Sequence, residues 1–332
     1  MTADLSTEWL GFGLPHPFMT GASPLCDSVD RVRELEDAGA GLVVLRSLFE
    51  EQIDREAFAH DRATALHADS HAEAASYLAE PHGQVFGPDE YLAHIAAVKR
   101  AVAIPVVASL NGHSPGGWLD YARRIAAAGA DALELNLYHV ESGGRSAAAI
   151  EDEQVAIVAA VARDVALPVA VKLSPFYTAL PHFARRLVDA GARGLVLFNR
   201  FFEPDVDVEA LEVHTQMHLS TSRELLLRLR WLALLSGSLP APLAVSGGVH
   251  TPVDAVKAVM CGAHAVQLVA ELLQRGPHRI GELRDQLGAW LETNGYQSLA
   301  QMRGSMDAAH APEPLSYARA NYVRMLQTWR SD

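Results

Sequence analysis

The chain has 332 residues, 49% of them hydrophobic, enough for one large core or two ordinary ones. A formal net charge of −13 without any basic run argues against a broad nucleic-acid or anionic-membrane footprint, and no apolar run approaches the ~20 residues of a membrane span. The opening segment MTADLSTEWLGF carries two acids and no Lys or Arg, so no targeting signal is read there and the cytoplasm is the expected location. Cys26 and Cys261 stand far apart in the chain. They form no metal-type pair, suit a reducing compartment and are expected as buried thiols.

Two kinds of punctuation alternate along the chain. In one, a Pro stands just before or at the start of a short apolar run: HPFMTGAS from His16, IPVVASLNG from Ile104, LPVAVKLSP from Leu167 and APLAVSGG from Ala241. In the other, a helical stretch ends at a Gly placed as a C-cap and an apolar run follows: DAGAGLVVL from Asp37, AAGADALEL from Ala127, DAGARGLVL from Asp189 and CGAHAVQLV from Cys261. Interleaved, they predict eight strands ending in chain order near Ser23, Ser47, Gly112, Tyr138, Ser174, Arg200, Gly248 and Glu271. Helical patterns lie between them, for instance Gly117 to Ala128 and Pro252 to Met260.

Strands this uniformly apolar are buried on both faces, which a closed parallel sheet provides. The expected fold is an α/β TIM (β/α)8 barrel in one domain over residues 1–332, with its core at about 17–293. The surplus over the ~250 residues of such a barrel is localised. It forms an excursion after strand 2 (49–90), a long loop after strand 6 (201–222) and a C-terminal helical tail (294–332). An open doubly wound sheet is the structural alternative, although no G-x-G-x-x-G follows the first strand.

In a barrel the strand carboxyl ends carry the chemistry. Three of the five Asn residues, Asn111, Asn136 and Asn199, fall at the ends of strands 3, 4 and 6. Amides there offer donors and acceptors to a ligand ring, or serve the turn itself. Of the three Lys residues only Lys172 lies inside an apolar strand, where an unpaired ammonium would cost several kcal/mol. Either a structural ion pair with Glu134 on the neighbouring strand or an anionic, electron-rich ligand meets that need. Ser246, Gly247 and Gly248 stand between strand 7 and a helix, a place where barrels bind phosphate through backbone amides. His214 and His218 are spaced for a metal on a helix, yet no third ligand is evident nearby. No metal is expected there or at His60, His67 and His71.

Taken together, TGASP at strand 1, SLNG at strand 3, ELN at strand 4, VKLSP at strand 5, FNR at strand 6 and SGGV at strand 7 resemble the dihydroorotate dehydrogenase family over roughly residues 5–290. SLFEEQI and NRFFEPDVD place the likeness in its dihydroorotate dehydrogenase-like branch. The resemblance implies FMN across the top of the barrel, with Ala22 and Ser23 packed against it and Ser47, Asn111 and Asn136 in contact with it. It puts Lys172 at the N1 and O2 edge of the flavin, and Ser246, Gly247, Gly248, Ala270 and Glu271 at its phosphate. The Cys-type members of the family carry a Ser-Cys-Pro-Asn run shortly after this ELN. Aligned from Asn136, Tyr138 stands at its Ser and His139 at its Cys, so both are candidate bases, and imidazole with its ordinary pKa of ~6.5 suits proton abstraction near neutrality. Arg46 takes the place of a strand-2 Lys, and with Asn199 it is expected to face the substrate. The excursion contains no Asn, although the family reads its substrate with asparagines there.

The implied activity is hydride transfer from a dihydroorotate-like CH–CH substrate to flavin N5. Another cyclic amide or an enone is the alternative substrate. A flavin-binding electron-transfer or regulatory subunit, or a non-redox barrel binding a phosphorylated metabolite, are the readings from other classes. With two Cys in the chain there is no iron–sulfur cluster motif. Electrons are therefore expected to leave through a small oxidant or a redox partner protein, and a homodimer is the family-based expectation.

Overall fold

Each Pro-led or Gly-led apolar run becomes a strand in the computed structural model, which describes residues 2–50, 87–112, 115–201, 203–214 and 218–318, together with 322, 326 and 327. The strands are Phe18–Thr20, Val43–Phe49, Val106–Asn111, Ala132–Asn136, Val169–Leu173, Gly194–Leu197, Leu243–Ser246 and Ala263–Leu268. Successive strands pair in parallel, and Val266 of the eighth opposite Phe18 of the first closes the barrel. Seven strands stop one to three residues before the expected position, while the second runs on to Phe49.

The prolines work because of what they lack. Pro17, Pro105, Pro168 and Pro242 have no N–H to offer a ladder, but their carbonyls accept from Val266, Val43, Leu133 and Leu195 at 2.8–3.1 Å and so start the pairing with a neighbouring strand. The Gly of the alternate repeat turns the chain out of its helix in the left-handed region, with Gly129 at φ +94 and Gly191 at φ +110.

Inside the barrel a floor of Val107, Ala132, Ala170, Val196, Ala244 and Ala265 is closed from below by an amino-terminal hairpin, Thr7–Trp9 paired with Phe12–Leu14. Trp9, 1% exposed, is the plug, and a Cβ on Gly194 would come within 2.8 Å of its ring. That hairpin escaped the sequence reading because three-residue strands are too short to show a period.

Two of the three expected insertions are also visible. After the sixth strand the chain forms a hairpin, Asp205–Asp207 with Glu212–His214, and then reaches helix Leu225–Leu235 through a 3-10 turn. Beyond helix Arg279–Thr293 the tail is helical over Leu299–Met302, makes a 3-10 turn at Pro314–Tyr317, and docks through Gly304, Met306 and Ala308 amides on the carbonyls of Val259, Met260 and Ala233. Most of the excursion, with His60, His67 and His71, lies outside the described residues. Both cysteines are buried, and burial pushes the Cys26 thiol up to about 12. Among the described residues no helix is long and apolar enough to cross a membrane.

Helix Pro252–Met260 starts with a capping box in which Thr251 Oγ1 accepts from the Asp254 amide at 3.2 Å and Asp254 answers the Thr251 amide at 3.0 Å. Thr251→Ala is expected to lower the unfolding free energy by about 1 kcal/mol in urea denaturation. An unchanged midpoint and slope would mean that the tail, not the cap, holds this helix in place.

Candidate active site at the carboxyl-terminal mouth

Side chains alternate along a strand, so counting by twos from the apolar floor identifies what faces the axis above it. Ser109 and Asn111 follow Val107, Glu134 and Asn136 follow Ala132, Lys172 follows Ala170, Ser246 follows Ala244 and Gln267 follows Ala265. Asn136 pairs with Lys172 across strands 4 and 5, and Asn111 comes one residue after the Leu110–Leu135 pair. Seven polar positions, five of them singled out in the sequence, thus share one inner face.

Lys172 is 5% exposed. Its Nζ donates to Gln267 Oε1 at 3.0 Å and stands 3.5 Å from Glu134 Oε1, while Gln267 Nε2 donates to Glu134 Oε2 at 2.5 Å. The structural partner considered in the sequence is therefore present, at ion-pair distance but without a hydrogen bond to Oε1. An ammonium has three donors, and these two neighbours leave one for a ligand.

The groups around it are polar and under-satisfied. Asn136 Oδ1 and Ser23 Oγ are buried with no hydrogen-bond partner among the described residues, an arrangement that native interiors rarely leave unexplained. Ala22 packs against the inner apolar cluster. Ser47 Oγ lies 2.7 Å from Ser109 Oγ, and Phe49 is opposite Asn111. Arg46 pairs with Asp27 at 3.1 Å, and burial, only partly offset by that guanidinium, raises the Asp27 carboxyl. Asn199 is half-buried and its amide donates to Leu173 O at 2.8 Å.

On the other side of the mouth, Gly247 and Gly248 sit at φ +82 and +85, so the strand-to-helix turn there demands glycine. A Cβ on Gly248 would meet the Leu225 amide nitrogen at 2.5 Å, and one on Gly247 would meet Arg228 Nη2 at 2.9 Å. Arg228 supports this turn by donating to Ser246 O and, at 2.6 Å, to Glu224 O, and burial brings its pKa down to about 10. The Gly248 amide donates to Ser220 Oγ at 3.3 Å. Glu271 turns its carboxylate away into a cage made by Arg279 at 2.6 Å and His250 at 3.0 Å. It can therefore offer a ligand only its backbone amide, beside that of Ala270.

The loop after strand 4 stands further out. Tyr138 is half-buried against Phe201, with ring centroids 5.7 Å apart, and Phe201 meets Phe176 edge-on at 4.6 Å. His139 is exposed and its Nε2 lies 3.2 Å from Glu141 Oε2. The hydrogen bond to His139, with a second from the Gly143 amide, holds the Glu141 carboxyl below the usual carboxylate range. Both His139 and Glu141 line a cavity of about 290 Å³ between the loops after strands 4, 5 and 6. His214 ends the strand-6 hairpin and pairs with Asp207 at 3.2 Å, and the described residues hold no group of three or more His, Cys, Asp or Glu placed for a metal.

Gln267, Ser220, Arg228 and Glu141 were not singled out in the sequence. Gln267 had a signal, being the one polar side chain in the run AVQLV. Arg228 had none, because an Arg in LLLRLRWLALL reads as a solvated helix position until the Gly turn is seen to rest on it.

A parallel barrel with a buried cation, orphaned amide and hydroxyl groups and a glycine turn at its carboxyl-terminal mouth has the layout of the barrel enzymes, a class whose active sites lie at that mouth. The family model for dihydroorotate dehydrogenase matches residues 5–291. Over 215 residues the chain is 31% identical to a putative dihydroorotate dehydrogenase A (fumarate) of Aeropyrum pernix, covering 63% of this chain and 70% of that one. It is 26% identical over 307 residues, 91% of this chain and 98% of the other, to the catalytic subunit of a dihydroorotate dehydrogenase B (NAD(+)) of Thermoplasma acidophilum. The chain belongs to the dihydroorotate dehydrogenase family. It is an oxidoreductase of that type, acting on CH–CH donors.

Proposed function

We propose that the whole chain forms one FMN-binding unit that oxidises a CH–CH bond beside a carbonyl in a dihydroorotate-like small molecule. The observation that carries this reading is the inner-face cluster: Lys172 with a donor to spare, flanked by Asn136 Oδ1 and Ser23 Oγ that lack partners among the described residues. Those groups fit the polar edge of a flavin ring. FMN, when bound, supplies the acceptor for the substrate's hydride. Lys172 holds positive charge where the reduced ring carries negative charge, Asn111, Asn136, Ser23 and Ser47 hydrogen-bond the ring, and Ala22 packs on it. The Gly247–Gly248 turn, beside Ser246, and the Ala270 and Glu271 amides receive the phosphate, with Arg228 as the nearby cation.

His139 takes the substrate proton. With Nε2 facing the Glu141 carboxylate, the neutral ring keeps its proton there and leaves Nδ1 as the acceptor. Tyr138 shields this loop from one side and Asn199 faces the substrate, while Arg46 stays paired with Asp27 at the rim of the site. The relatives' names carry two acceptors, fumarate and NAD(+), the second with a catalytic subunit. For this chain either a small oxidant or a partner protein removes the electrons, and a homodimer is the assembly we favour.

The cofactor is tested by heating the purified protein and separating what it releases. FMN is expected. Release of FAD would contradict the single phosphate site, and an apoprotein that fails to take up added FMN would overturn the proposal.

A further inference from the structure

Three described cations near the strand ends already face a carboxylate, Lys172 3.5 Å from Glu134, Arg46 3.1 Å from Asp27 and Arg200 3.6 Å from Glu224, and a fourth, Arg228, donates to the Ser246 and Glu224 carbonyls. The cavity between the loops after strands 4, 5 and 6 carries charge of the other sign. Its described lining includes Glu141 and Glu151 and no Lys or Arg. Arg186 reaches Glu151 only from 3.8 Å and does not line the cavity, and Glu141 has His139. The remaining surface is largely apolar and aromatic, with Phe176 and Phe201 meeting edge to face and Ile150 also in the lining. At about 290 Å³ the space suits a single ring with small substituents.

Resting on the dehydrogenase reading above, we infer that this cavity receives the substrate and selects an uncharged ring, a cyclic amide or enone without a carboxylate. A carboxylate entering it would give up water, meet two like charges and find no guanidinium or ammonium among the described lining residues to pair with. An uncharged ring meets none of these penalties. It stacks against Phe176 and Phe201, and its carbonyl can accept from Ser174, whose Oγ receives the Phe176 amide at 3.3 Å and keeps its own proton free to donate. Selectivity here works by repulsion as much as by attraction: the acids of the loop reject the charged analogue while leaving the ring contacts unchanged.

The test uses a matched pair, dihydroorotate and its carboxamide, which differ in little besides the charge. Both are titrated anaerobically into the FMN-loaded protein, with binding read from flavin difference spectra and, independently, from ligand-observed NMR. The carboxamide is expected to bind about tenfold tighter or more, the effect of one or two like charges at a partly screened distance. Thr178→Lys, which places an ammonium at the cavity wall, is expected to raise the affinity for dihydroorotate and close most of that gap. Equal or tighter binding of dihydroorotate to the unaltered protein, or no binding of either compound, overturns the inference. A protein that stays colourless with added FMN refutes the cofactor reading instead, and the NMR comparison then still decides the charge preference.

Discussion

Lys172→Met is expected to destabilise the fold by about 3–5 kcal/mol, the usual result of removing one partner from a buried ion pair. Glu134, 1% exposed, would keep the Gln267 amide as the one partner for its charge among the described residues. The same substitution is expected to make the flavin reduction potential more negative and to slow flavin reduction, because the positive charge that favours the reduced ring is gone. The double variant Lys172→Met/Glu134→Gln separates the two roles. It should recover most of the stability, since both buried charges are removed together, while its flavin potential, relieved of the unpaired Glu134 charge, rises above that of the single variant but stays below that of the unaltered protein. If the double variant recovers the full potential along with the stability, Lys172 is a structural partner of Glu134 and does not tune the cofactor.

The second large effect is kinetic. His139→Ala is expected to slow anaerobic flavin reduction by about 10²–10⁴-fold, the range of a lost general base, with FMN affinity unchanged because the inner-face groups are untouched. Glu141→Gln should cost less, since it removes the partner that orients the ring and keeps the proton on Nε2 but not the ring itself. Glu141, held below the ordinary carboxylate range, stays ionised throughout the region where an imidazole usually titrates. Glu141 should therefore add no step of its own to the pH–rate profile in that region. Loss of rate in Tyr138→Phe but not in His139→Ala would transfer the role to the phenol. Wild-type rates in both would make this loop a cover over the ring.

The sequence by itself determined the barrel and most of its inner face. Its marks are local and repeat: a Pro whose carbonyl opens a ladder, a Gly that leaves a helix in the left-handed region, and an apolar run long enough to show a side-chain period. Lys172 was legible as the one polar residue of its strand and Asn136 as one of two in an otherwise apolar strand, and the Gly247–Gly248 pair because only a tight turn requires both. What only the tertiary structure decided are the relations between residues far apart in the chain. Gln267 joins Lys172 from 95 positions away, Arg228 props the glycine turn from a helix that reads as a solvated one, and Glu271 has its charge caged by Arg279 and His250. The pairing of Arg46 with Asp27, which neutralises an expected substrate contact, and the acidic, aromatic cavity beside His139 belong to the same group. No local pattern encodes such contacts, because a closed barrel brings eight strand ends to one mouth, and the partner of each buried charge is chosen there by distance across the axis and not by spacing along the chain.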